Sequence, residues 1–125
     1  MKENSNQKPY DLGERTSLFA KQVIAYQNTL SKTPANTEIR KQLIRSAGSV
    51  GSNYIEANES FSKKDFVLRI KTCRKEAKES RYWLELLEVN NDESEKRRQI
   101  LIQEASELLK IFNAIIEKKN KLNFT

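Results

Sequence analysis

The chain has 125 residues and a net charge of +6; charged residues make up 32% of it, and only three residues are Gly and two are Pro. This length suits one domain, and this composition is typical of long solvated helices rather than of a turn-rich sheet protein. Histidine is absent, which removes the commonest general base and metal ligand, so we expect no metal, no cofactor and no enzymatic activity.

The single cysteine and the lack of long apolar runs bear on the location of the protein. Cys73 excludes an internal disulfide framework and indicates a reducing compartment, so we expect a cytoplasmic protein. No apolar run approaches the ~20 residues that a membrane span needs, and we expect no membrane partner. Residues 1–10 are polar and do not form a secretory signal; we predict a disordered lead there and a single domain over residues 11–121.

The first helix is predicted from about Leu12 to Leu30. Asp11 is the expected N-cap, and Pro34 disfavours helical geometry at the residue before it, so the connection lies there. Apolar or small residues recur in steps of four and three, the spacing that keeps side chains on one face of a helix. This face consists of Leu12, Thr16, Phe19, Val23, Tyr26 and Leu30.

The second helix, from Asn36 or Thr37 to near Ser60, carries two adjacent stripes at helical spacing. The first consists of Leu43, Ala47, Val50, Tyr54 and Ala57, with Phe61 just beyond; the second consists of Ile44, Gly48, Gly51, Ile55 and Asn58. Each Gly inside a helix costs roughly 0.5–1 kcal/mol relative to Ala, so two of them indicate close approach by another helix. A phosphate-binding loop is the alternative, but neither its motif nor a preceding strand is present. The candidate residues for helix contact or a subunit interface are Ser46, Gly48, Ser49, Gly51 and Ser52.

Two more helices follow. Ser62 is the expected N-cap of the third helix, and the fourth is predicted to run to about Lys119. The third has the apolar line Phe66, Ile70, Cys73, Ala77, Ser80, Leu84 and Leu87, and the fourth has Leu101, Ala105, Leu108, Phe112 and Ile115. Four amphipathic helices with short connections predict an all-α fold, an antiparallel up-down-up-down four-helix bundle.

Positive charge is concentrated on the third helix. Between Lys63 and Tyr82 there are eight basic and three acidic residues, so this window carries +5 of the net charge of +6. Four lysines share one side of this helix and two arginines lie next to them. We call these six residues the basic ridge: Lys64, Lys71, Arg74, Lys75, Lys78 and Arg81. Such a ridge could contact a phosphate backbone. The alternative is a solvated face with partial pairing, such as Lys75 with Glu79.

Other candidate positions point to structure rather than chemistry. No aromatic residue interleaves the ridge, so base stacking is not indicated, and Tyr82 and Trp83 are expected to anchor packing. Cys73 is expected in the core. An acidic and amide-bearing cluster on the second helix is expected to pair with Arg45, Lys75 or Arg15, inside one bundle or between bundles, since buried charges are normally paired. This cluster consists of Asn53, Glu56, Asn58 and Glu59.

Three segments together resemble one family. They are DLGERTSLFAKQV, QLIRSAGSVGSNYIEANES and KDFVLRIKTCRKEAKESRYWLELL. The family is the bacterial four-helix-bundle family named after proteins encoded in intervening sequences of 23S ribosomal RNA genes. The resemblance implies a homopentamer around a central channel. A related member, the accessory variability protein of diversity-generating retroelements, is similar in fold and uses a basic surface to bind nucleic acid and a reverse transcriptase. The resemblance therefore implies that the basic ridge is a candidate binding surface in this chain.

Two functions are therefore open. The first is a non-enzymatic, oligomeric protein that binds structured RNA or DNA through the basic ridge. The second is a protein-interaction scaffold, without catalytic activity, whose ridge contacts an acidic protein. No nucleophile, paired acid and base, or metal-ligand set indicates an enzyme.

Overall fold

The computed structural model describes residues 11–122, which form four α-helices and, within that range, no strand. The helices are α1 (Leu12–Gln27), α2 (Pro34–Asn58), α3 (Lys63–Leu86) and α4 (Asp92–Leu122). The predicted disordered lead over residues 1–10 lies outside the described residues. Each helix packs on its neighbours in the order α1, α2, α3, α4, and α4 returns to α1. The predicted four-helix bundle is confirmed.

Polar contacts at the helix ends show that neighbouring helices run antiparallel. Asn36, at the start of α2, is fully buried and donates from Nδ2 to the carbonyl of Glu88, just past the end of α3 (3.0 Å). The Tyr26 hydroxyl, near the end of α1, donates to the carbonyl of Ser94 at the start of α4 (2.9 Å). The start of each helix thus lies beside the end of its neighbour.

The core consists of the faces predicted from helical spacing. All six predicted residues of α1 are buried, as are Leu43, Ala47, Val50 and Ala57 of α2. The α3 line is buried from Ile70 to Leu87, and the α4 line from Leu101 to Phe112. Tyr54, Phe66 and Ile115 are only half-buried, and Ile116 is buried instead of Ile115. Spacing alone therefore identified most of the core, because a 3.6-residue period fixes which side of a helix faces its neighbours.

The caps of α1 and α3 are the predicted ones. The Asp11 carboxylate accepts from the Glu14 amide (3.1 Å), and the Ser62 hydroxyl accepts from the Asp65 amide (3.0 Å). These side chains satisfy backbone donors that have no partner within the helix.

Several predicted boundaries were wrong. The first helix ends at Gln27, because the amides of Thr29 and Leu30 turn back to the carbonyls three residues before them; Leu30 is buried nonetheless. The second begins at Pro34, two residues early, with Thr33 as N-cap, since a first-turn proline lacks an amide that would have no partner.

The end of α2 and the length of α4 also differ from expectation. Because α2 ends at Asn58, Phe61 leaves the helical stripe and is fully exposed. The fourth helix continues to Leu122, beyond the predicted Lys119. No helix in the range 11–122 is both long and apolar enough to cross a membrane.

Candidate nucleic-acid interface

A groove between α3 and α4 brings together five of the six residues of the basic ridge. Its α4 wall is formed by Leu109 and Asn113. The ridge residues that line it are Lys71, Arg74, Lys75, Lys78 and Arg81. The sixth, Lys64, is exposed in the first turn of α3 and lies outside the groove. The ridge is therefore a continuous basic surface from Lys71 to Arg81, with Lys64 as an outlier.

The acidic residues within this stretch of α3 face the other way. Arg45 of α2 donates to the carboxylates of Glu76 (3.3 Å) and Glu79 (2.6 Å). Lys75 therefore lacks the pairing with Glu79 that was expected as an example under the alternative of a solvated face. Across residues 11–122, none of Lys71, Lys75 and Lys78 takes part in an ion pair.

The two arginines of the groove are fixed by neutral partners on α4. Arg74 donates from Nη1 to the side-chain oxygen of Asn113 (2.8 Å), and Arg81 donates from Nη1 to the Ser106 hydroxyl (3.2 Å). Neither bond neutralises the guanidinium charge. Each leaves donors of a planar, permanently charged group available for an anion.

The small-residue patch of α2 faces two different neighbours. Ser46 is buried and accepts a hydrogen bond from the Ser80 hydroxyl of α3 (2.9 Å), whereas a Cβ on Gly51 would lie 3.1 Å from Oγ1 of Thr16 on α1. Gly51 is thus a point of close helix approach. A Cβ on Gly48 would meet nothing within 4 Å.

The remainder of that patch opens onto a shallow groove between α1 and α2. Ser52 is exposed there, beside Ile24 and Ile55, and Ile55 is 61% exposed. Ser49 is half-buried, and its carbonyl accepts from the Asn53 side chain (2.8 Å). The second stripe of α2 is therefore left largely uncovered by the chain's own helices.

Within one bundle, the acidic cluster does not pair with the predicted cations, although the Asn53 side-chain oxygen accepts from Arg69 of α3 (2.9 Å). Arg45 pairs with α3, and Arg15 forms a two-bond ion pair with Glu104 of α4 (2.7 and 3.0 Å) that raises the pKa of Arg15. Glu56 and Glu59 form no ion pair within the described part of the chain. The predicted pairing within one bundle is therefore not found for these two carboxylates, because helical spacing cannot identify which helix faces which; pairing between bundles stays a prediction.

One residue of this surface was missed from the sequence. Tyr82 is 54% exposed, on the same outer line of α3 as Lys71, Lys75 and Lys78, whereas Trp83 packs against the core as predicted. The spacing of the sequence places Tyr82 on the lysine line, since it follows Lys78 by four residues, but the side chain was predicted to anchor packing.

Reactive or metal-binding groups do not accompany the groove. Cys73 is fully buried in the core, and this burial raises its pKa to about 12, so its thiol stays protonated at neutral pH. No group of three or more Cys, Asp and Glu residues among positions 11–122 is arranged to hold a metal ion. What the groove offers is positive charge and hydrogen-bond donors.

Comparisons with known proteins agree with the resemblance in the three helical segments. The family model described as 23S rRNA-intervening sequence protein matches residues 10–114. The chain is also similar to a crystal structure at 1.70 Å of a protein of unknown function from the S23 ribosomal protein family of Bacteroides thetaiotaomicron VPI-5482. The two are 29% identical, the match covers 83% of this chain and 96% of that one, and the TM-score is 0.73. No curated protein matches the chain.

Proposed function

Because the chain belongs to the 23S rRNA-intervening sequence protein family, we propose that it is a non-enzymatic, oligomeric protein that binds structured RNA or DNA. The groove between α3 and α4 is the binding surface, and the basic ridge contacts the phosphate backbone. The observation that carries this proposal is a set of three lysines and two arginines around one groove, none of which has an acidic partner within residues 11–122.

The pairing of Arg45 supports a binding role over a merely solvated face. A carboxylate four residues from a lysine normally attracts it, which would weaken the field of the ridge. Here α2 takes up both carboxylates of this part of α3, Glu76 and Glu79. The positive potential of the ridge therefore acts on an external anion, and a phosphate backbone matches a row of cations on one helix.

The chemistry of the groove favours backbone contacts over readout of base edges. Lysines act as point charges toward phosphates, and the α4 wall contributes Leu109 and Asn113 rather than a set of paired donors and acceptors. Binding should therefore depend steeply on salt and weakly on sequence.

The test changes Lys71, Lys75 and Lys78 together to Gln and measures RNA and DNA binding over a range of salt concentrations. Each phosphate contact contributes roughly 0.7–0.9 to the slope of log affinity against log salt, so three lost contacts should lower it by about two to three units. The lysines are exposed, so helix content by circular dichroism should not change.

The matched control changes Lys32, Lys96 and Lys118 to Gln, which removes the same charge from exposed positions away from the groove. If both triple variants bind alike, the ridge is not the binding surface. If the parent binds no nucleic acid at low salt but binds an acidic protein, the scaffold function replaces this proposal.

A further inference from the structure

We infer that Tyr82 is a base-stacking residue and that the surface takes nucleic acid with an unpaired nucleotide next to a phosphate track. This inference rests on the proposed function and narrows its substrate class. It is carried by three observations: the position of Tyr82 on the line of the lysines, its exposure, and its contact with Trp83.

The position follows from helical geometry. Lys71, Lys75, Lys78 and Tyr82 are separated by four, three and four residues, so all four side chains leave α3 on one side. At 1.5 Å per residue, Tyr82 lies about 6 Å along the helix axis from Lys78 and about 16 Å from Lys71. The ring therefore lies at one end of the row of cations.

Charge indicates that the phosphate track stops there. Glu85, three residues beyond Tyr82, is exposed and takes part in no side-chain ion pair within residues 11–122. Its carboxylate would repel a phosphate that continued along α3. A nucleic-acid strand whose phosphates follow the lysines thus ends, turns or unpairs beside Tyr82. An unpaired base at that point is stabilised by stacking on an apolar surface.

The ring of Tyr82 is held in place by its neighbour. It packs edge-to-face on Trp83, with ring centroids 5.1 Å apart and planes inclined by 64°, and Trp83 is itself packed against the core. An edge-to-face pair uses the edge of one ring, so an aromatic face remains available for a base. A ring that is already ordered loses little entropy when a base stacks on it.

The experiment uses an RNA duplex with a short single-stranded overhang that carries 2-aminopurine, and the same duplex with blunt ends. Tyr82→Ala should weaken overhang binding about 5- to 140-fold, which corresponds to the ~1–3 kcal/mol of one stacked base. It should also abolish the fluorescence quenching of the 2-aminopurine, while binding of the blunt duplex stays unchanged. Tyr82→Phe should keep both affinity and quenching.

Two further variants keep the test decisive. Tyr82→Leu retains an apolar contact with Trp83 but no aromatic face, so it should lose quenching even if Tyr82→Ala fails to fold. Phe61→Ala removes a fully exposed aromatic ring that lies outside the α3–α4 groove and should behave as the parent.

The other outcomes separate this inference from the proposed function. If Tyr82→Ala keeps overhang affinity and quenching while the triple lysine variant loses both, stacking is wrong and the ridge function stands. Equal weakening toward both duplexes would also overturn stacking, because only the overhang offers an unpaired base. A parent protein that binds neither RNA duplex would overturn this inference, and one that binds no DNA either would overturn the proposed function as well.

Discussion

At the residue scale, the two glycines in the middle of α2 differ in what surrounds them. Gly51 faces Thr16 of α1 at a distance that leaves no room for a larger side chain, whereas Gly48 faces open space. The same residue type, three positions apart, therefore serves close packing within the chain in one case and leaves a surface uncovered in the other.

This difference predicts opposite effects of one substitution. Gly51→Leu should lower the free energy of unfolding by about 1–3 kcal/mol, the usual cost of overpacking. Gly48→Leu should leave the stability of the single chain unchanged or raise it slightly, because the helix loses a glycine and no neighbour within the chain is displaced. Chemical denaturation of both variants checks this. Equal losses would contradict the close approach at Gly51.

Polar residues set the limit of sequence-based prediction at this scale. Asn36 was predicted only as a helix start, yet it is buried and clamps the end of α3. Arg98 donates to the carbonyl of Leu87 (2.6 Å) and so covers the same helix end. Apolar burial follows from a local period, but a buried polar residue depends on partners far along the chain, which periodicity does not identify.

At the scale of elements, α3 presents one charged face to α2 and another to solvent. Its lysine positions could be predicted because helical spacing places them on one line. That these lysines lack carboxylate partners could not be predicted, because it depends on Arg45 of α2, which is more than 30 residues from Glu79 in the sequence. The predicted helix boundaries were also wrong by a few residues. The period of apolar residues does not show where turn hydrogen bonds end α1 or that Pro34 occupies the first turn of α2.

The role of Arg45 leads to a prediction that links α2 to the ridge. Arg45→Gln should release Glu79 to pair with Lys75, so affinity for RNA should fall and the salt slope should decrease by less than the roughly 0.7–0.9 of one phosphate contact. The variant should also lose about 1–2 kcal/mol of stability, because the nearly buried Glu76 carboxylate loses its cation while Arg45 itself is half-exposed.

Two controls isolate this effect. Arg45→Lys keeps the charge and should retain most of the affinity. Lys41→Gln removes the same charge from the solvent side of α2, where the Lys41 side chain is 67% exposed and pairs with Glu38, and should change neither affinity nor stability measurably. If Lys41→Gln weakens binding as much as Arg45→Gln, net charge rather than carboxylate pairing explains the result.

At the scale of the whole molecule, the bundle leaves apolar surface that its own helices do not cover. The groove between α1 and α2 is lined by the small residues Ala20 and Gly48 and by the exposed Ile24 and Ile55. Extra apolar width on one side of a bundle is most simply covered by another copy of the chain, since small residues allow close approach. Repetition of the ridge around such an assembly would add avidity to weak phosphate contacts.

This reasoning predicts an oligomer with the α1–α2 groove at its interface. Light scattering at micromolar concentration should give a mass several times the 14.6 kDa of one chain. Ile55→Glu should lower that mass, because it places a charge in an apolar contact, and should weaken RNA binding beyond any effect on one subunit. Ile100→Glu is the matched control, since Ile100 is 66% exposed on α4, outside both this groove and the α3–α4 groove, and Ile55 is 61% exposed. A monomeric parent would exclude the oligomer, and an unchanged mass for Ile55→Glu would place the interface elsewhere on the bundle.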